Sequence, residues 1–242
     1  MKNTCHHKTP AAMVMAAGLG TRMRPLTATK PKPMVELNGR PLIDYTLTRL
    51  ADHKISPIVV NVHYLADVLE QHLENSPIAD VIIADERAEL LDTGGGAYAN
   101  LDVLGPDRFF ILNSDSLWIE DDHDNLTAML AAWDDDTMDC LMLLAATENS
   151  LGYSGNGDFN VAADGHLLAR PSGEKAACVY TGCCLIHPRI FAGSPTGPFS
   201  LNLLWNRALA NRRLFGLALK GQWLHIGTPV ALTAAEEKFN RS

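Results

Sequence analysis

Along the chain, short apolar runs alternate with stretches in which apolar residues recur every three or four positions. Ala12 to Ala16 is an apolar run that leads straight into a glycine-bearing loop. From Pro41 onward, Leu42, Tyr45, Leu47 and Leu50 recur at helical spacing, and proline is well tolerated in a first helical turn. Pro57 to Val62 predicts a second strand and Leu65 to Leu73 a second amphipathic helix. Val81 to Ala84, Phe109 to Leu112 and Leu141 to Ala145 predict three further strands, and Ala97 to Leu104 reads as a helical run between the first two of them. Strands separated by helices imply βαβ units, hence a mostly parallel sheet covered on both faces.

After Ala146 the texture changes. Gly152, Gly155, Gly157 and Gly165 punctuate short runs such as Leu167 to Ala169 and Val179 to Ile186, which predicts an antiparallel or mixed extension of the same sheet. Leu201 to Asn211 and Pro229 to Phe239 read as two closing helices. No repeat or low-complexity linker divides the chain, so residues 1–242 are expected to form a single domain, with residues 1–10 a disordered polar tail.

Composition narrows the picture. The 242 residues are 47% hydrophobic, enough for one large α/β domain. A net charge of -8 does not suit a general nucleic-acid binder, so any polyanion must meet a local basic patch. No apolar run approaches the roughly 18 residues of a membrane span, and the first nine residues lack the apolar core of a signal peptide. The expectation is a cytoplasmic protein without a membrane or nucleic-acid partner. Five cysteines without C-x-x-C spacing read as free thiols, and His6 and His7 as part of the tail rather than as metal ligands.

Three segments could carry chemistry. In MVMAAGLGTRMRPLTATKPKPM, Met13 to Met34, a strand ends in a loop where Gly18 and Gly20 allow tight turning and close approach to a ligand. Exposed N–H groups in such a turn form an anion nest, and Arg22, Arg24, Lys30 and Lys32 add charge suited to phosphates. The loop is neither G-x-x-x-x-G-K-[ST] nor G-x-G-x-x-G, since Met23 stands at the third glycine of the latter. In ELLDTGGGAY, Glu89 to Tyr98, three glycines suit close approach to a flat base or ribose. In FFILNSDSLW, Phe109 to Trp118, an apolar strand delivers Asn113 and Asp115 to its carboxyl end, where a carboxylate can hold a hard cation. The acidic runs Glu120 to Asp124 and Asp134 to Asp136 read as solvated surface.

Together these residues resemble the sugar-1-phosphate nucleotidyltransferase family. Its strand, A-x-G-x-G-T-R-x-x-P-x-T and P-K-P-x-x-x-[VL] appear as Ala16 to Thr27 and Pro31 to Leu37. The resemblance continues through LLDTGGG, the strand ending in Asp115, the YTG of Tyr180 to Gly182, and WLHIGTP. It implies a Rossmann-like three-layer α/β/α sandwich around a mixed, mostly parallel sheet. It also implies attack of a sugar 1-phosphate oxygen on the α-phosphorus of a nucleoside triphosphate, with pyrophosphate leaving. Arg22 and Lys32 would be catalytic. Ala16, Ala17, Gly18, Gly20, Thr21, Arg87, Thr93, Gly94 and Gly95 would hold the nucleotide. Asn113, Tyr180, Thr181 and Gly182 would line the sugar side. Asp115 and His225 would bind Mg²⁺, or Mn²⁺.

LLDTGGG and the lack of C-terminal β-helix repeats resemble the short bacterial uridylyltransferase branch, which implies UTP, N-acetylmuramate 1-phosphate and a role in peptidoglycan recycling. Mannose- or heptose-1-phosphate guanylyl transfer, phosphocholine cytidylyl transfer and an inactive regulatory module are the alternatives. The chain departs from the family pattern twice. His225 stands where an aspartate is usual, and Arg170-Pro171 is the nearest counterpart of an E-K-P segment.

Overall fold

A computed structural model describes residues 9–240. Its strands in chain order are β1 (Ala12–Met15), β2 (Glu36–Leu37), β3 (Arg40–Pro41), β4 (Ile58–Val62), β5 (Val81–Asp85), β6 (Phe109–Asn113) and β7 (Ser116–Ile119). They continue as β8 (Cys140–Ala146), β9 (Phe159–Val161), β10 (Leu167–Ala169), β11 (Cys178–Ile186), β12 (Leu214–Ala218) and β13 (Gln222–His225). The helices are α1 (Leu42–Asp52), α2 (Ala66–Glu74), α3 (Asp92–Ala99), α4 (Leu101–Leu104), α5 (Asn125–Ala132), α6 (Asn202–Ala210) and α7 (Pro229–Phe239).

The main sheet follows the order β10-β9-β11-β6-β1-β4-β5, with β8 also pairing β11 and β12 pairing β8. β1 runs parallel to β4 and β6, and β4 parallel to β5. β11 enters antiparallel to both β6 and β8. This is the mixed, mostly parallel sheet that the alternation of strands and helices predicts. Period-2 alternation sorts each strand between two cores. Ala12, Val14, Val60 and Leu112 face α1, α2 and α5 through Leu47, Leu69 and Met129. Met13, Val59, Phe109 and Ile111 face α3, α4 and α6 through Ala97, Leu104 and Leu204. Each fully buried aliphatic or aromatic side chain contributes roughly 1.5–3 kcal/mol, so the two layers together hold β1 rigidly between them. The carboxyl ends of β1 and β6 therefore point at a fixed spot.

A separate two-stranded ribbon completes that spot. β7 and β13 pair antiparallel, with His225 opposite Ser116. A third apolar cluster lies beneath the ribbon, built from Met23, Leu42, Leu117, Leu224, Ile226 and Leu232.

The structure differs from the sequence reading in several places. The helical run expected from Ala97 to Leu104 begins earlier, at Asp92, so the three glycines are helical, and it breaks at Asn100. The ribbon strands, β12 and α5 carry no clean period; SLWI of β7, for example, is buried at three consecutive positions, so alternation is lost. The acidic run at Glu120 to Asp124 is partly structural. Glu120 accepts from Trp118 Nε1 at 3.0 Å and from Asn125 N at 3.0 Å, and Asp124 caps α5 by accepting from Thr127 N at 3.0 Å.

Cys140, Cys178, Cys183 and Cys184 are free thiols. Cys5, His6, His7 and most of the expected tail lie outside the described residues, while the carbonyl of Pro10 accepts from Ser56 N at 3.2 Å. Among the described residues, no helix is long and apolar enough to cross a membrane.

Candidate active site

A cavity of about 600 Å³ opens at the carboxyl ends of β1 and β6, bounded by residues 15–23, Lys32, residues 113–115, Asn61, Leu90, Asp92, Thr93 and Gly227. Its floor is the glycine loop. Gly20 turns the chain in the left-handed region at φ 61°, and a Cβ there would press on Lys32 and Thr27 at 3.1 Å. The Thr27 hydroxyl donates to the Gly20 carbonyl at 2.8 Å, and Met23, fully buried, roots the loop in the third apolar cluster. The loop is thus held at its base while its rim stays open. Gly18 has no atom within 4 Å of where a Cβ would stand, and Leu19 is exposed. Among the described residues, the N–H groups of Ala17, Gly18 and Leu19 meet no acceptor. Successive unpaired N–H groups on a rigid turn make an anion site.

Lys32 follows Pro31 and opens a short 3-10 turn, Lys32–Met34, which fixes its backbone. Its Nζ donates to Asp115 Oδ2, and both side chains are largely buried. Arg22 stays exposed on the same wall, with Nη1 3.5 Å from the position of a Gly227 Cβ. The ribbon sets His225 beside the residue that follows Asp115. Its ring is tilted against Trp223 at 5.2 Å between centroids and edge-on to Tyr153 at 6.0 Å. Burial lowers the His225 pKa below its ordinary value; Asp115 draws it back up, while Lys32 and Arg22 push it down. A neutral imidazole is the form able to bind a metal. Asp115 and His225 supply one carboxylate and one imidazole. Among the described residues, no group of three or more His, Cys, Asp or Glu side chains is placed to hold a metal. That donor set fits an ion carried in on phosphate oxygens, which Mg²⁺ favours, better than a resident one.

The structure brings together Ala16, Ala17, Gly18, Gly20, Thr21, Arg22, Lys32, Thr93, Asn113 and Asp115 around the cavity. Other expected residues are committed elsewhere. Arg87 does not border the cavity: its guanidinium donates to Asp85 and Asp67 at 2.7 Å each, and to Glu70. The N–H groups of Gly94 and Gly95, expected beside the base, are engaged within the protein. Both N–H groups donate to the Phe199 carbonyl, at 2.8 and 3.0 Å, and Cβ atoms there would lie 2.4 Å from the Phe199 ring and from the Gly197 carbonyl.

Tyr180 packs on Trp205, and the buried Thr181 hydroxyl donates to the Leu143 carbonyl at 2.8 Å. Gly182 lies under the site: a Cβ there would meet Asn113 Nδ2 and Ser116 Oγ at 2.8 Å. Among the lining residues that sequence reasoning did not place at the site are Asn61, Asp92 and Gly227. Asn61 carried a signal, as a lone amide in the apolar run PIVVNV; Asp92, in the left-handed region at φ 57°, carried none.

Residues 11–157 match the model of the family described as Nucleotidyl transferase. The chain is 46% identical over 94% of its length to the N-acetylmuramate alpha-1-phosphate uridylyltransferase of Caulobacter vibrioides, covering 96% of that protein. It is 31% identical over 93% of its length to the protein of the same name from Neisseria meningitidis serogroup B, again covering 96% of it. Among solved structures it resembles HddC from Yersinia pseudotuberculosis complexed with GMP-PN, with a TM-score of 0.75 over 96% of this chain and 100% of that one at 22% identity. It also resembles a UDP-glucose pyrophosphorylase complexed with UDP-glucose, with a TM-score of 0.80 over 97% and 99% of the two chains at 16% identity. These two likenesses are of fold.

Proposed function

The chain belongs to the nucleotidyl transferase family, and from that premise we propose that it joins UTP to N-acetylmuramate 1-phosphate, giving the UDP-sugar and pyrophosphate. The observation that carries the reading is the 46% identity, over 94% of the chain, with a uridylyltransferase of that substrate. The cavity agrees with the chemistry. A phosphate oxygen of the sugar 1-phosphate forms a bond to the α-phosphorus, and the bond from that phosphorus to the β-bridging oxygen breaks. No protein nucleophile is needed, so the protein's part is positioning and charge neutralisation.

The N–H groups of Ala17 to Leu19 face the triphosphate, and Arg22 receives the charge that builds on the leaving pyrophosphate. Lys32 turns from Asp115 to the oxygens of the α-phosphate and the incoming sugar phosphate. Asp115 and His225 would hold a divalent ion, Mg²⁺ or Mn²⁺, which would neutralise the phosphates when bound. Asn113 and the Gly182 side of the cavity are where the sugar would sit. The product would feed peptidoglycan recycling in the cytoplasm. Pyrophosphate release measured with UTP, GTP, CTP and dTTP against a panel of sugar 1-phosphates tests the reading. UTP with N-acetylmuramate 1-phosphate should give the highest kcat/KM, and a tenfold preference for GTP would reassign the base.

A further inference from the structure

One buried carboxylate beside the cavity has no part in that mechanism. Glu86 follows β5 and is 4% exposed, and Asn61, next to it on β4, is 3% exposed. The N–H of Ala16, at the root of the glycine loop, donates to Asn61 Oδ1 at 2.7 Å. Asn61 Nδ2 donates to Glu86 Oε1 at 2.8 Å. The N–H of Leu91, at the start of α3, donates to Glu86 Oε2 at 3.0 Å. Gly96 leaves the room this requires, since a Cβ there would stand 2.7 Å from Glu86 Oε1. The backbone of Glu86 is pinned too, its N–H donating to the Val62 carbonyl at 2.9 Å.

We propose that Glu86 is a positioning residue for the nucleotide, acting through Asn61 to fix the glycine loop against the Leu90–Thr93 wall. The proposal rests on the reading of this cavity as a nucleotide site. The relay has one polarity. The N–H of Ala16 takes the oxygen of the Asn61 amide, so the nitrogen must face position 86, and position 86 must accept from both sides. A buried donor left facing another donor carries the full cost of its lost hydration. Ala16 and Asn61 line the cavity from the end of β1 and from β4, and Leu90, Asp92 and Thr93 line it from the segment that enters α3. A ligand wedged between these walls feels their spacing. A sugar phosphate held at Lys32 and Asp115 does not.

The polarity makes a swap experiment possible. Glu86→Gln alone puts a donor against either Asn61 Nδ2 or the Leu91 N–H. Asn61→Asp alone sets carboxylate against carboxylate. Made together, they restore every bond: the new carboxylate at 61 accepts from Ala16 and from the new amide at 86, whose oxygen accepts from Leu91.

The measurement is KM for the best of the four triphosphates and for the sugar 1-phosphate, with a thermal melt of each protein. Glu86→Gln should raise KM for the triphosphate about tenfold with KM for the sugar phosphate unchanged, and the paired variant should bring it back. If Glu86→Gln does not fold, Glu86→Asp, which keeps the charge but reaches one donor only, should show the same one-sided rise. An unchanged triphosphate KM, or equal rises for both substrates, overturns the proposal while an active wild type leaves the nucleotide site standing. A wild type that turns over none of the four triphosphates removes both.

Discussion

Gly18 stands on the open rim of the loop that floors the cavity, and Gly94 to Gly96 on the helix whose first turn forms its lip; the two places are used in opposite ways. At Gly18 the missing side chain leaves open space, and among the described residues the neighbouring N–H groups meet no acceptor. At Gly94 to Gly96 every missing side chain is filled by the protein's own atoms: Phe199, the Gly197 carbonyl and Glu86. The rim at Gly18 leaves room for a molecule that is not the protein, and the helix at Gly94 to Gly96 is shaped for the protein itself. What separates them is whether the freed volume and the freed N–H groups are already taken.

The largest effects should come from the open loop. Lys32→Ala and Arg22→Ala should each lower kcat on the order of a hundredfold, the usual loss of one charge-assisted contact in a preorganised site. Both should keep their circular dichroism spectra, and two folded variants with wild-type turnover would dissolve the distinction from the functional side. The closed cluster should respond in stability instead. Gly94→Ala drives a Cβ to 2.4 Å from the Phe199 ring. Such overpacking costs about 1–3 kcal/mol, read as a lower denaturant midpoint. Gly18→Ala, with no neighbour to strike, should leave the midpoint within about 0.5 kcal/mol and act only on triphosphate binding. Equal midpoint losses for the two would show that the loop and the helix do not differ in this respect.

His225 sharpens the comparison through pH. Burial holds its folded-state pKa below the unfolded value, so acid protonates the unfolded chain first. Stability therefore falls as pH drops from about 6.5 toward the lowered value, and kcat/KM should fall at lower pH, through that lowered value itself, where the folded-state imidazole takes up its proton and ceases to be a ligand. His225→Asp should carry the acid limb of the rate profile down into the carboxylate range and lower the Mg²⁺ needed for half-maximal rate. A limb that stays in place clears His225 of that role. The smallest effect belongs to Arg87→Ala. Its guanidinium is spent on exposed carboxylates away from the cavity, so kcat and both KM values should be unchanged.

Much of this was legible in advance because burial leaves a period. β1, β4, β6 and β11 and helices α1, α2, α6 and α7 fall where apolar spacing placed them, within a few residues at their ends. The glycine loop, Lys32 and Asp115 were legible because they are close in sequence to the strands that aim them. What was hidden depends on partners far along the chain. Nothing near Asp92-Thr93-Gly94-Gly95-Gly96 says that residues 197–199 will fill its gaps. Nothing near Arg87 announces Asp67 and Glu70 across a helix. Tyr180 and Thr181 lie on a strand whose register with β8 slips between Tyr180 and Cys184, and their side chains are taken by Trp205 and the Leu143 carbonyl, both distant in sequence.

The ribbon of β7 and β13 has a bearing on how the site comes into being. Its two strands are separated by most of the second half of the chain, and His225 reaches Asp115's neighbourhood only through it. During synthesis the glycine loop, Lys32 and Asp115 all emerge early, yet β7 has no edge to pair with until Gln222–His225 follow. Contacts so distant in sequence are slow to form, because the intervening chain must be ordered first. The ribbon can therefore be completed only after β13 has been made, and a chain cut short before it would carry the family's most recognisable residues without this part of the cavity's surroundings.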